Sequence, residues 1–306
     1  MNKKKRRLNY LKLFRSIIIL AIIICIGIVA LHAFTSKQDE EKMASTDDNI
    51  VESDENIIQE DELEDTEEPI KRESKAIPLA KGEKSNNSLA VLMYHYFYDD
   101  TKGETAQNSN WMPITKFEEQ LNYLKENDYY YPTWEEVADF VDGKIDLPEK
   151  SVVITMDDGH KSIYSLAIPL LEKYDIPATA FIITKNFNKN TLEKYANSII
   201  DFESHTNIMH RAGGTIGHGG IFPALSLEEG VADLKESIEK LGGNSNALAY
   251  PYGDCTQRTK QAAEQAGFKV AFTTINTKVK PGMDKYELPR VRMYTDITLT
   301  GFANSI

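Results

Sequence analysis

The chain has 306 residues, enough for one large domain or two small ones, and its 47 acidic and 35 basic residues give a formal net charge of −12. It contains two cysteines, Cys25 and Cys255. Cys25 lies in an apolar segment near the N-terminus, which excludes a disulfide bond within one exported domain. Such a domain needs a hydrophobic core large enough to be stable unaided, and the roughly 220 residues from 88 onward are sufficient.

The first 34 residues are typical of a membrane anchor. Residues 1–15 carry seven basic and no acidic side chains, and the nineteen residues 16–34 have no formal charge. A segment of that length can cross a bilayer as a helix, and the positive-inside rule places the basic flank in the cytoplasm. We therefore expect a single-pass protein of the cell membrane with its folded domain outside the cell. A cleaved signal peptide is the alternative, although Leu31 and His32 do not match its usual small-x-small cleavage site.

The next segment, residues 35–87, is predicted to be a disordered acidic stalk. Between residues 35 and 75 it has sixteen acidic and five basic residues and no aromatic residue. Such a composition cannot bury enough apolar surface to offset the entropy of ordering. Because this segment holds nearly all of the net negative charge, the acidity says little about what the folded domain binds.

Residues 88–306 alternate short β-like runs with helical segments. In the first helix, Phe117, Leu121 and Leu124 recur at the spacing of one buried helical face. Strands are predicted at 89–95, 151–155, 178–183, 197–203, 247–251 and 269–274, and helices at 113–127, 132–143, 162–174, 226–242 and 256–267. This alternation predicts a parallel sheet or a β/α barrel, in which catalytic groups collect at the carboxyl ends of the strands.

Two adjacent acids follow the strand at 151–155. The strand is apolar and rich in β-branched residues, as expected where both faces are covered, and Asp157, Asp158 and Gly159 come just past its end. Aspartate and glycine also favour turns and helix caps. This motif alone therefore leaves a structural and a functional interpretation open.

Histidines follow a second strand. His205 and His210 lie five positions apart, in a chain with six histidines. Two imidazoles and one carboxylate can bind Zn²⁺ or a similar divalent ion and leave positions open for water and substrate. After a third strand, AYPYGD at 249–254 has Pro251 and Gly253 in a tight loop. Such a loop can direct a backbone N–H towards a developing oxyanion, although alone it would be only a turn.

These three motifs, in this order and each at a strand end, resemble those of carbohydrate-esterase family 4, the polysaccharide deacetylases with a NodB-homology domain. The resemblance covers roughly residues 89–295. The opening LAVLMYHYF resembles the subgroup that deacetylates poly-N-acetylglucosamine outside the cell, in which the order of the barrel is permuted. The resemblance implies a distorted (β/α)7 barrel and a hydrolase that removes N-acetyl groups from an extracellular polymer, either poly-N-acetylglucosamine or peptidoglycan.

The resemblance also implies a role for each motif residue. Asp157 would be the general base, and Asp158, His205 and His210 would hold a divalent metal ion, Zn²⁺ or alternatively Co²⁺ or Ni²⁺. The backbone N–H of Tyr252 would help to stabilise the oxyanion. The ion would polarise the acetamide carbonyl and lower the pKa of its water, while the base removes the proton.

The chain departs from the usual family pattern at two positions. The late Leu-x-His motif that carries the catalytic acid is missing, since no histidine follows His218. In the permuted subgroup the acid comes from an N-terminal Tyr-His, so we expect His95 to be the acid. The arginine that usually orients the base is replaced by Ala249. Arg290, on a late strand, is expected to supply that guanidinium, with a surface salt bridge as the alternative.

Other functions remain open from the sequence. A catalytically silent carbohydrate-binding module of the same fold would require a lost base or acid, and an O-acetyl esterase acting on xylan is a further activity within the family. A phosphoryl-transfer enzyme would hold Mg²⁺ with Asp157 and Asp158, but two histidines are poor ligands for that hard ion. We expect an N-acetylated polysaccharide as substrate, no nucleic-acid partner and a monomeric catalytic domain. His160 and His218 receive no catalytic role.

Overall fold

The computed structural model describes residues 73–197 and 199–306. The predicted cytoplasmic flank, the predicted anchor and most of the predicted stalk lie outside these residues. Within the described ranges, no helix combines the length and apolar character that a membrane span requires.

The described fold begins before the predicted domain boundary at residue 88. Strand β1, Ile77–Pro78, pairs antiparallel with β5, Ile145–Asp146. The backbone N–H of Leu79 extends this pairing by donating to the carbonyl oxygen of Lys144 over 2.9 Å. The dense acidic composition ends near residue 75, since residues 76–87 contain a single acid, Glu83. Little charge repulsion therefore opposes the packing of this segment on the domain.

Seven parallel strands close into a barrel, which confirms the predicted barrel fold. Each strand pairs with the next along the chain, and β11 closes the barrel on β2 with Val291 opposite Leu92. The barrel strands are β2 (Ala90–Tyr94), β6 (Val152–Met156), β7 (Ala178–Ile182), β8 (Ile200–Ser204), β9 (Ala247–Ala249), β10 (Val270–Asn276) and β11 (Leu288–Arg292). Two short strands, β3 (Tyr96–Tyr98) and β4 (Trp111–Pro113), form a separate parallel pair.

Helices connect most of the strands. They are α1 (Ile114–Glu126), α2 (Trp134–Val141), α3 (Ile168–Tyr174), α4 (Lys189–Tyr195), α5 (Leu227–Lys240), α6 (Gln257–Ala266) and α7 (Leu299–Ser305). Thr133 caps the start of α2 in a reciprocal capping box with Glu136. Helix α4 was not predicted, because it buries none of its residues and so lacks an apolar face to detect. A π turn, Ile163–Ala167, precedes α3.

Alternate residues of the barrel strands pack into two different hydrophobic clusters. Leu92 of β2 and Ile154 of β6 join a cluster with Phe117 of α1, on the outside of the barrel. Their neighbours Val91 and Val153 join a second cluster, which contains aromatic rings of several strands. Because side chains alternate between the two faces of a strand, this second cluster fills the barrel interior.

The interior cluster is closed at one end by α2. Trp134 of this helix lies 6.1 Å from the ring of Phe181 on β7 and 5.4 Å from that of Phe272 on β10. The two phenylalanine rings lie 6.3 Å apart, although their strands are not neighbours in the barrel. This packed aromatic layer supports the polar side chains at the carboxyl ends of the strands.

Candidate active site

The predicted site residues meet at the carboxyl end of the barrel. They surround a cavity of about 460 Å³ that is lined by His95, Asp157, Asp158, His205, His210 and Tyr252. His95 follows β2, the two aspartates follow β6, and the remaining three residues follow β8 and β9. Arg290 of β11 reaches the same site from below, through its contact with Asp157.

Asp157 and Arg290 form a buried, bidentate ion pair. The two terminal guanidinium nitrogens of Arg290 each donate to one carboxylate oxygen of Asp157, both over 2.7 Å. Burial raises the pKa of Asp157, but the charge and hydrogen bonds of Arg290 outweigh it, so the pKa lies below its usual value. Asp157 is therefore ionised at neutral pH and held in one orientation.

The structure fixes Arg290 from several sides. Its Nε donates to the carbonyl oxygen of Thr273 over 3.2 Å, and one terminal nitrogen donates to the hydroxyl of Thr155 over 3.2 Å. Its guanidinium carbon lies 5.6 Å from the centre of the Phe181 ring. Arg290 is fully buried, so the alternative of a surface salt bridge is wrong.

Asp158, His205 and His210 form a compact set of metal-ligand types. One potential ligand atom from each lies within 4.8 Å of the others. Oδ1 of Asp158 is 3.4 Å from Nε2 of His205 and 3.3 Å from Nε2 of His210. Two imidazole nitrogens and one carboxylate oxygen converging on one point are the donor set of a three-ligand zinc site with open positions. The residues present therefore fit the divalent ion that the sequence implies.

Neighbouring groups orient two of these side chains. Nδ1 of His205 lies 2.8 Å from the carbonyl oxygen of Ala249, which can only accept, so Nδ1 carries the proton and Nε2 presents a lone pair to the cluster. The hydroxyl of Tyr96 donates to Oδ2 of Asp158, leaving Oδ1 towards the histidines.

Three site residues have left-handed backbone conformations. The φ angles are 74° at Asp158, 69° at Thr206 and 61° at Tyr252. Each such residue costs of order 1–3 kcal/mol and persists only where the surrounding structure imposes it. Tyr252 places its ring against that of His210, with 4.8 Å between the centres and 20° between the planes. The next residue, Gly253, must lack a side chain, because a Cβ atom there would lie 2.2 Å from Oγ1 of Thr274.

His95 follows the end of β2 and lines the same cavity as Asp158, His205 and His210. It is largely buried, and its Nδ1 has no hydrogen-bond partner among the described residues. Burial lowers the pKa of His95, while the charges of Asp157 and Asp158 oppose that shift without cancelling it. A histidine with an unpaired buried nitrogen at the edge of the site is positioned to exchange a proton with a bound substrate.

The two histidines without a predicted role have different surroundings. Nδ1 of His160 lies 2.8 Å from the hydroxyl of Ser162 at the start of the helical segment, as a structural residue would. His218 lines the cavity, and its backbone N–H donates to Asp254 over 2.7 Å. Asp254 also accepts from the backbone N–H of Gly220 over 2.7 Å. The glycine-rich loop that contains His218, residues 213–220, is thereby attached to the rim of the site.

Sequence reasoning did not predict the functions of two residues that support the site. The hydroxyl of Tyr96 donates to Asp158. Thr155 lies in the predicted strand at 151–155, and its hydroxyl accepts from Arg290 and donates to the carbonyl oxygen of Leu92 over 2.7 Å. For Thr155, a polar residue in an apolar strand two positions before an acid was the available signal. Tyr96 gave none beyond its place next to His95.

A closed parallel barrel thus carries an Asp-His-His cluster, which could hold a divalent ion, beside a buried Asp-Arg pair. A family model described as polysaccharide deacetylase matches residues 144–271. A poly-β-1,6-N-acetyl-D-glucosamine N-deacetylase of Staphylococcus epidermidis is 35% identical over 237 residues, which cover 69% of this chain and 80% of the relative. The chain belongs to the polysaccharide deacetylase family and is a polysaccharide deacetylase.

Further relatives agree with this assignment. A Staphylococcus aureus protein of the same name is 30% identical over 249 residues, covering 72% of this chain and 83% of the relative. The solved structure of IcaB from Ammonifex degensii is 26% identical with a TM-score of 0.61, covering 72% of this chain and 97% of that one. The deacetylase PplD of Streptococcus pyogenes, solved with acetate, shares the fold with a TM-score of 0.61 at 24% identity, covering 71% and 97%.

The family match has a boundary that matters for the site. It includes the aspartates, both ligand histidines and Tyr252, but neither His95 nor Arg290. His95 directly follows β2, which pairs in the barrel with β11, the strand of Arg290. The two residues therefore come from neighbouring strands that are far apart in the sequence.

Proposed function

We propose that this chain is a metal-dependent de-N-acetylase that hydrolyses acetamido groups of a β-1,6-linked N-acetylglucosamine polymer. The observation that carries the proposal is the ionised Asp157, locked by Arg290 beside the Asp158–His205–His210 cluster in one cavity. The names of the staphylococcal relatives support the polymer and the acyl group.

The chemistry follows from the positions of the side chains. Asp158, His205 and His210 would hold a divalent ion, which would supply a Lewis acid for the amide carbonyl and would lower the pKa of water. Asp157 is ionised and accepts the proton of the attacking water, as the water oxygen bonds to the carbonyl carbon. Arg290 keeps the carboxylate in place and occupies only one lone pair of each oxygen. A carboxylate that stays charged while buried is the form that a base requires.

Two further groups complete the reaction. The backbone N–H of Tyr252 stabilises the oxyanion that develops on the former carbonyl oxygen. His95 gives a proton to the amide nitrogen as the carbon–nitrogen bond breaks, which yields acetate and the free amine of glucosamine. These roles divide base, acid and oxyanion stabilisation among residues that follow three different strands.

The cellular setting in this proposal comes from the N-terminal sequence. The uncharged run at 16–34 anchors the protein in the cell membrane, and the acidic segment after it separates the catalytic domain from the bilayer. This placement supports a polymer substrate outside the cell.

A direct experiment is to incubate the full chain, loaded with Zn²⁺, with β-1,6-linked N-acetylglucosamine oligomers and to measure acetate and free amine. The proposal predicts equal amounts of the two products and their loss after metal chelation. Peptidoglycan fragments and acetylated xylan are the comparison substrates. Faster release of acetate from either of these would overturn the choice of polymer, and polymer binding without acetate release would favour a silent carbohydrate-binding module.

A further inference from the structure

A second cleft adjoins the active-site cavity. It has a volume of about 520 Å³, and Asp158 lines both spaces. On one side lie the rings of Tyr164 and Tyr195, whose centres are 5.1 Å apart at an interplanar angle of 42°. Asn188 and Thr191 add polar groups to the lining. Aromatic faces beside amide and hydroxyl groups are suited to the apolar faces and the polar edges of a sugar ring.

The charge of this cleft is positive. Lys161 is exposed and lines it, and Nζ of Lys194 lies 5.0 Å from the centre of the Tyr195 ring. Among the described residues that line the cleft, Asp158 is the single acid. Its carboxylate is already engaged with the two ligand histidines and the Tyr96 hydroxyl. The free charges that a ligand in the cleft encounters are therefore those of lysines.

We propose that this cleft is a subsite for the sugar next to the one being deacetylated, and that it selects N-acetylglucosamine over glucosamine at that position. The inference rests on the proposed function, because a polymer with one residue in the active-site cavity must continue past its rim. Asp158 is the rim shared by the cavity and the cleft. A neutral acetamido sugar stacks on the tyrosine rings, whereas the ammonium group of glucosamine is repelled by Lys161 and Lys194.

This selection has a consequence for the product. Each turnover converts a neutral sugar into a cationic one, and the cationic sugar then binds poorly in the cleft. The enzyme would therefore avoid removing the acetyl group beside a residue that it has already deacetylated. The result is a polymer in which the free amines are spaced apart.

The test compares two β-1,6-linked oligomers of equal length, one fully acetylated and one with a glucosamine next to the reacting residue. Acetate release gives kcat/KM for each, using the full chain loaded with Zn²⁺. We expect the wild type to prefer the fully acetylated oligomer by about two- to fivefold, as one or two exposed charges allow. Lys161→Glu should abolish or reverse that preference, because it replaces a positive charge in the lining of the cleft with a negative one.

Lys235→Glu is the matched control, since it reverses one exposed lysine charge on α5, away from the lining of the cleft. It should leave the wild-type preference intact. Equal rates of the wild type on both oligomers, or the same shift in both variants, would overturn the subsite while acetate release still upheld the proposed function. No acetate release from either oligomer would overturn both.

Discussion

Buried carboxylates in the two halves of the barrel interior have pKa values that are shifted in opposite directions. At the carboxyl end, Asp157 faces a guanidinium and its pKa is lowered. Deeper in the barrel, Asp201 and Glu203 lie two residues apart on β8. They accept hydrogen bonds from the neutral side chains of Asn244 and Asn246, respectively. Burial and the charge of Asp201 raise the pKa of Glu203 to about 8. A neighbouring cation therefore decides whether the pKa of a buried carboxylate is lowered or raised.

The strand β8 shows this contrast within five residues. Asp201, Glu203 and His205 alternate along it and therefore share its inner face. Burial raises the pKa of the first two, and the third belongs to the metal-ligand cluster at the carboxyl end. Four substitutions test this comparison, each by removing one of the contacts that fix a charge state.

Removing the cation should have the largest effect. In Arg290→Met, Asp157 is left buried without its partner, so its pKa rises and the base is lost. We expect the free energy of unfolding to fall by about 3–5 kcal/mol and the rate of acetate release to fall at least about 100-fold. Urea unfolding and an acetate assay measure the two quantities.

A second change separates these two effects. Adding Asp157→Leu to Arg290→Met should restore much of the stability but none of the activity, because no unpaired charge remains. Arg258→Met, which removes an exposed arginine, is the control. A stable and active Arg290→Met variant would show that the ion pair does not set the state of the base.

Removal of a ligand should weaken metal binding strongly. His210→Ala takes away one of three donors, and we expect Zn²⁺ affinity in a chelator competition to fall at least about 100-fold. The fold should persist, since the His210 side chain is 23% exposed. His218→Ala, on the nearby loop, should leave the affinity as it is. Equal affinities of the wild type and His210→Ala would rule out the cluster as the metal site.

Loss of the Tyr96 hydroxyl should have a smaller effect on the same affinity. In Tyr96→Phe, Asp158 loses the hydrogen bond that fixes its orientation, and we expect Zn²⁺ affinity to fall about tenfold. Tyr98→Phe is the matched control on the same strand. An unchanged affinity in Tyr96→Phe, together with an unchanged unfolding free energy, would show that the hydroxyl does not position this ligand.

The smallest effect is expected in the acidic half of the interior. The pKa of Glu203 in the folded state, about 8, lies above its ordinary value of 4.5, so the folded state holds the extra proton between these pH values. The contribution of Glu203 to the free energy of unfolding is therefore fully present at low pH and falls as the pH rises towards 8. Glu203→Gln should remove part of this slope and gain about 1 kcal/mol at pH 8 relative to pH 6. Urea unfolding at both pH values checks it, and an identical slope in both proteins would contradict it.

The sequence predicted most of the barrel because local signals and tertiary packing agree there. The helix at 113–127 and the strand at 151–155 have an apolar periodicity and composition that match their final burial. Helix α4 has no buried residue, and β1 is two residues long, so neither produces a pattern above that of a loop. Such elements depend on contacts with the rest of the domain.

The site residues likewise fall into those that the local sequence indicates and those that depend on contacts between distant segments. Asp157, Asp158, His205 and His210 stand out in the sequence because they cluster at strand ends. The contact of Tyr96 with Asp158 joins residues 62 positions apart, and that of Arg290 with Asp157 joins residues 133 positions apart. Only the closure of β11 on β2 brings the arginine to its aspartate. The family resemblance could suggest the guanidinium but not its burial.

The most direct test of the central claim compares the wild type with Asp157→Asn, both loaded with Zn²⁺, on β-1,6-linked N-acetylglucosamine oligomers. The substitution keeps the shape of the side chain and removes the charge that Arg290 holds in place. We expect acetate release to fall about 10²–10⁴-fold while Zn²⁺ affinity stays near that of the wild type. Acetate release at the wild-type rate by the metal-loaded Asp157→Asn variant would contradict the role of Asp157 as the base.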